Sequence, residues 1–132
     1  MAPADLESAR PLSPHLQVFR PIITMMMSIF HRITGAALYF GTLIVVWWLA
    51  AAASGPESYA FTVGLMTSPL GLLILLGYTW SLFHHMLGGM RHLVWDTGRA
   101  LDKHTATWMA WGTLIGSIVL TALTWLVGVL VL

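Results

Sequence analysis

The chain has no cysteine, which rules out a disulfide, a thiolate metal site and a cysteine-held iron–sulfur cluster within it. Charge is almost as scarce: Lys and Arg number 6, Asp and Glu 5, and the formal net charge is +1 at pH 7. So even a balance lacks the electrostatic footprint of a nucleic-acid binder. Charged residues make up 8% of the chain and hydrophobic residues 58%, proportions that exclude intrinsic disorder and fit an integral membrane protein. Internal repeats and low-complexity tracts are absent as well. In 132 residues, a few membrane spans with short tails leave no space for a large catalytic domain, so any such domain belongs to another chain.

Aliphatic residues dominate instead, together with 7 Trp and 8 Met. Trp favours membrane interfaces, and Met, as in Met25-Met-Met27, fills irregular gaps. Three segments, at about 30–53, 68–90 and 107–131, reach the roughly 20 apolar residues that a crossing requires. The second opens on Ser68-Pro69, where Ser can cap a helix and Pro suits its first turn. Only His84 and His85 interrupt its apolar character. Ala53-Ser-Gly-Pro-Glu-Ser58 reads as a turn, and Arg91 to His104 as a polar loop into which the second helix can extend. Ala51-Ala-Ala53 resembles a signal-peptidase site, but the apolar run before it is too long for a signal peptide. The expected fold is all-α: a cytoplasmic N-terminal segment, 1–27, and a single membrane-anchor domain, 28–132, with three transmembrane helices.

Arg10, Arg20 and Arg32 precede the first span, and Arg91, Arg99 and Lys103 lie between the second and third. Basic residues are retained on the cytoplasmic side. This distribution puts the N-terminus in the cytoplasm and the C-terminus opposite. The stretch before the first span lacks an Arg- and Ser-rich transit pattern, which favours a bacterial inner membrane over a mitochondrial one.

Two polar clusters interrupt the hydrocarbon. In Ser28-Ile-Phe-His-Arg-Ile-Thr-Gly35, Ser28 lies three and four residues from His31 and Arg32, and Gly35 follows at seven, so helical spacing puts the four on one face. A hydroxyl donor, a fixed cation and a titratable ring suit a carbonyl that gains electrons and protons. The alternative is a plain anchor, in which Arg32 snorkels to phosphate headgroups with His31 beside it. In Phe83-His-His-Met-Leu-Gly-Gly-Met-Arg-His-Leu-Val-Trp-Asp96, His85 shares a face with Gly88, Gly89 and His92. That face leaves a flat gap for a planar cofactor such as haem, whose iron takes a neutral imidazole, or for another helix. Arg91 lies about 9 Å along the helix from His85, where it could neutralise propionates. His84 points about 100° away from His85, towards a partner helix rather than the same iron. His15 and His104 read as solvated tail or loop residues.

Together with Arg10-Pro-Leu-Ser-Pro-His-Leu-Gln17, these clusters closely resemble the cytochrome b membrane-anchor subunit of succinate dehydrogenase. The three motifs follow the family's order, and the resemblance runs from about Arg10 to the C-terminus. Phe30 stands where many relatives carry Leu, which leaves the polar positions intact. The resemblance implies half of a two-subunit haem-binding helical bundle in a complex of four chains. Its partners would be a flavoprotein with FAD, an iron–sulfur subunit and a second membrane anchor. Electrons from succinate would pass through the flavin and the clusters to ubiquinone, with haem b shared between the anchors. Residue by residue, it makes His85 the axial haem ligand, Ser28 and Arg32 quinone-site residues, and His31, Arg32 and His92 the propionate region. A haem-free structural anchor or assembly protein is the rival reading, and a small proton-relay transporter a third.

Overall fold

The computed structural model describes residues 19–131, so Arg10, His15 and the rest of the first motif lie outside the described residues. Four helices follow in order: α1 (Ile23–Ser54), α2 (Pro56–Met66), α3 (Pro69–Asp96) and α4 (Lys103–Val131). α1, α3 and α4 are each long and apolar enough to cross a membrane. At 1.5 Å per residue they run about 48, 42 and 44 Å, well beyond the roughly 30 Å of hydrocarbon. The helices therefore extend beyond the expected spans. α1 begins before Ser28, α3 continues to Asp96, and α4 starts at Lys103. Charges mark where hydrocarbon ends, whereas helical hydrogen bonds are local and persist into the polar zone.

The connections are short and chemically explicit. Gly55, at φ +118°, ends α1 in a conformation open to glycine, and Pro56 starts α2 at once. The expected turn at 53–58 thus shrinks to one residue followed by a helix. Ser68 caps α3, its Oγ accepting from the Gly71 N–H at 3.2 Å. A Cβ on Gly71 would strike the carbonyls of Leu65 and Met66, so the absence of a side chain lets α3 start hard against the end of α2. The polar loop expected over 91–104 reduces to residues 97–102, and Arg91 is helical and buried. Asp102 caps α4 by accepting from the Thr105 N–H at 2.9 Å. That backbone bond, aided by the Thr105 side chain, holds the Asp102 carboxyl below its ordinary value of 3.8. Trp95 Nε1 donates to Ala100 O at 3.1 Å and ties the loop to α3.

The interior inverts the pattern of a water-soluble bundle. Among the described residues, Met27, Ala51 and Ala110 are the buried apolar side chains, while Thr34, Thr62, Ser81, His84, Arg91, Thr113, Ser117 and Thr121 are buried polar ones. Large apolar residues such as Leu43, Phe61, Leu73 and Val129 face outward. Lipid is as apolar as leucine, so membrane helices associate through close packing of small residues rather than through burial of large ones. The hydroxyls meet their needs on carbonyls one turn back: Thr34 on Phe30, Thr113 on Met109, Thr121 on Ser117. α3 packs against both α1 and α4, which also touch each other, and α2 lies against α1 and α3.

Candidate functional site

The two polar clusters meet where α1 crosses α3. His85 Nδ1 donates to the carbonyl of His31 at 3.1 Å, and the two rings stack with centroids 4.0 Å apart and planes 4° from parallel. A carbonyl only accepts, so Nδ1 carries a proton, and in the neutral imidazole Nε2 keeps its lone pair. Two glycines make room for the stack. A Cβ on Gly35 would lie 2.9 Å from His85 Cε1, and one on Gly88 would collide with His31 Nδ1. His92 extends the group, its ring 5.2 Å from that of His31 and 5.1 Å from that of Trp95. Such an arrangement presents one oriented imidazole, able to ligate a metal through Nε2, with two further rings behind it.

The Ser28–Gly35 cluster does not keep a single orientation. His31 and Gly35 meet α3, whereas Arg32 is exposed and Ser28 is half-buried. One residue step turns a helix by about 100°, so neighbours His31 and Arg32 diverge. Ser28, half-buried, lies on the helix between the direction of Gly35 and that of the exposed Arg32, four residues on. Phe30 packs edge-on between Trp80 and His84, each 6.2 Å away.

His84, adjacent to His85, belongs to a different environment. It is wholly buried, and its Nδ1 lies 3.3 Å from Ser117 Oγ on α4. Ser117 already donates to Leu114 O at 2.8 Å, so its oxygen accepts from His84 Nδ1–H, leaving Nε2 as an acceptor. The helix that His84 faces is thus this chain's own α4. Arg91, one turn beyond Gly88, lies 3% exposed, its Cζ 5.0 Å from the Trp95 ring centroid. Residue types alone marked neither group as interior, because Ser117 is distant in sequence and Arg91 follows the second apolar run. Met27 is buried, in line with a packing role, and His104 is an exposed α4 residue whose Nε2 accepts from Trp108 Nε1 at 3.2 Å. Among the described residues no three His, Cys, Asp or Glu side chains converge on one point; an axial haem site asks only one imidazole of this chain.

Comparison with known proteins extends beyond the described residues. Residues 7–124 match the family described as succinate dehydrogenase/fumarate reductase transmembrane subunit. The chain is 43% identical over 118 residues to the succinate dehydrogenase cytochrome b556 subunit of Paracoccus denitrificans, covering 89% of this chain and 91% of that one. It is 34% identical over 121 residues to the cytochrome b556 subunit of Rickettsia conorii, at 92% and 94% coverage. With the cytochrome b560 subunit of Reclinomonas americana it shares 38% over 98 residues, 70% of this chain and 68% of that one. A helical bundle with an inverted interior, matched along nearly its whole length to such subunits, belongs to the succinate dehydrogenase/fumarate reductase transmembrane-subunit family, as a cytochrome b anchor.

Proposed function

We propose that this chain binds haem b through His85, shares it with a second anchor subunit, and forms one wall of the site that reduces ubiquinone with electrons from an iron–sulfur subunit. The observation that carries the proposal is the seat of His85: Nδ1–H is committed to the His31 carbonyl, and Gly35 and Gly88 clear the space around the stacked rings. That commitment leaves Nε2 as the free nitrogen, the state an iron ligand needs. When bound, haem supplies a one-electron store. His31 and His92 stand behind His85, and the exposed Arg32 provides the cation for a carboxylate edge.

For the quinone, Ser28 and Arg32 lie in the N-terminal third of α1. Ser28 Oγ donates to a quinone oxygen, and Arg32 stabilises the negative charge that develops there as electrons arrive. Protons come from the cytoplasmic side, which the basic residues mark. The site is incomplete in this chain; the iron–sulfur and second anchor subunits supply the remainder, and the flavoprotein delivers the electrons taken from succinate.

Ser28→Ala and Arg32→Leu should each lower quinone reduction by roughly tenfold or more while succinate oxidation by an artificial acceptor persists in the purified complex. Unchanged quinone reductase activity in both variants would sink the quinone assignment. Replacing His85 should abolish the b-type band in the reduced-minus-oxidised spectrum. One observation favours a second reading. His84 shows how histidine in this bundle can serve packing through Ser117, and an intact complex without haem would extend that role to His85 and make the chain a haem-free anchor.

A further inference from the structure

Arg91 is a buried cation with no buried anion beside it in the described chain. Glu57, Asp96 and Asp102 are the described acids and all three are exposed. Arg91 Nε and Nη1 are buried without hydrogen-bond partners among the described residues. Guanidinium keeps its proton in proteins, and an uncompensated charge is too costly to bury unless something takes up its donors. Trp95 covers one face of the group at 5.0 Å, a cation–π contact that leaves the N–H donors unassigned.

Helix geometry indicates where those donors are used. Side chains on a helix lean towards its N-terminus, which carries the guanidinium from position 91 back over Gly88. Gly88 is the position occupied by the His31 ring, and His84 lies one turn further back. His31 Nδ1 and His84 Nε2 are both buried without partners. The bond to Ser117 makes His84 Nε2 an acceptor, and a neutral His31 can accept at Nδ1. Two unpartnered donors on α3 therefore lie along the helix from two unpartnered acceptors, His84 Nε2 on α3 and His31 Nδ1 on the facing α1, near enough for a small rotation or a bridging water to join them.

We propose that Arg91 is a positioning residue of the haem site: its buried charge, shared between His31 and His84, holds His31 in place to orient His85 and raises the reduction potential of the bound iron. The proposal rests on His85 being the axial ligand. The His31 backbone carbonyl accepts the hydrogen bond of His85 Nδ1–H, and the His31 ring stacks on that of His85, so whatever holds the His31 ring also fixes the His85 ring against it. A permanent positive charge nearby disfavours the ferric state, which carries one more positive charge than the ferrous.

The test uses the purified, intact complex carrying Arg91→Met or Arg91→Lys, with haem content and an optical redox titration as readouts. Arg91→Met, similar in length but uncharged, should shift the midpoint potential downward and alter the electron paramagnetic resonance signature of the ferric haem. Arg91→Lys should retain haem with a midpoint near that of the parent. Loss of haem from Arg91→Met alone also supports the proposal, since Arg91→Lys then isolates charge as the requirement. An unchanged midpoint in Arg91→Met at full haem content overturns it, as does loss of haem from both variants, because shape rather than charge is then required. Haem surviving replacement of His85 overturns the axial-ligand reading itself, and this inference with it.

Discussion

Gly88 and Gly89 are adjacent and look equivalent in sequence, yet only Gly88 is pressed by a neighbour, the ring of His31. Gly88→Ala forces that ring aside. Overpacking of this kind should cost about 1–3 kcal/mol, read as a lower unfolding temperature of the complex and a weakened haem band. Gly77, where an added methyl group would meet nothing within 4 Å, is the control: Gly77→Ala should leave both unchanged. Equal effects at the two positions would show that the seat under His31 is not specific. Spacing was enough to group His85 with small neighbours and His92, because those residues share one helix. It was not enough to divide Arg32 from His31 and Gly35, since the dividing surface is α3.

Element boundaries were legible where a side chain or proline makes them. Ser68-Pro69 caps α3 as its residue types require, and Gly55-Pro56 breaks the chain as expected. α2 was not legible: Pro-Glu-Ser-Tyr-Ala-Phe-Thr-Val-Gly-Leu-Met has no clear apolar stripe, and contacts with α1 and α3 stabilise it. The start of α4 was hidden by polar residues, although Asp102 is a good N-cap. Asp102→Ala should speed hydrogen exchange of the Thr105 and Ala106 amides, whereas Asp102→Asn, which keeps an acceptor, should preserve their protection. Since the native carboxyl titrates below 3.8, its contribution to the helix is complete above that value. It is lost as pH falls through the lower native value. The Asn variant should lack this acid dependence, and equal acid sensitivity in both proteins would discount the cap.

For the whole molecule, the large apolar side chains point outward and the small and polar ones inward, an arrangement that lipid and neighbouring subunits can satisfy and water cannot. Basic residues cluster before and in the N-terminal third of α1 and from the last turns of α3 to the first residue of α4, so the ends bearing His31 and Arg91 should face the cytoplasm. Because the chain has no native cysteine, single substitutions report this directly. Thr97→Cys should react with a membrane-impermeant maleimide only in inverted vesicles, and Ser58→Cys only in right-side-out ones. The reverse pattern would overturn the orientation and move the quinone site to the other face.

Membrane class, the number of crossings, the family and the residues of a candidate site could be read from the sequence, because each depends on composition, run length, motif or spacing along one helix. The pairing of His85 with the His31 carbonyl, the hold of Ser117 on His84 and the burial of Arg91 emerged only in the tertiary structure. Each depends on how α1 and α4 lie against α3, and that packing is set by where small residues on different helices coincide.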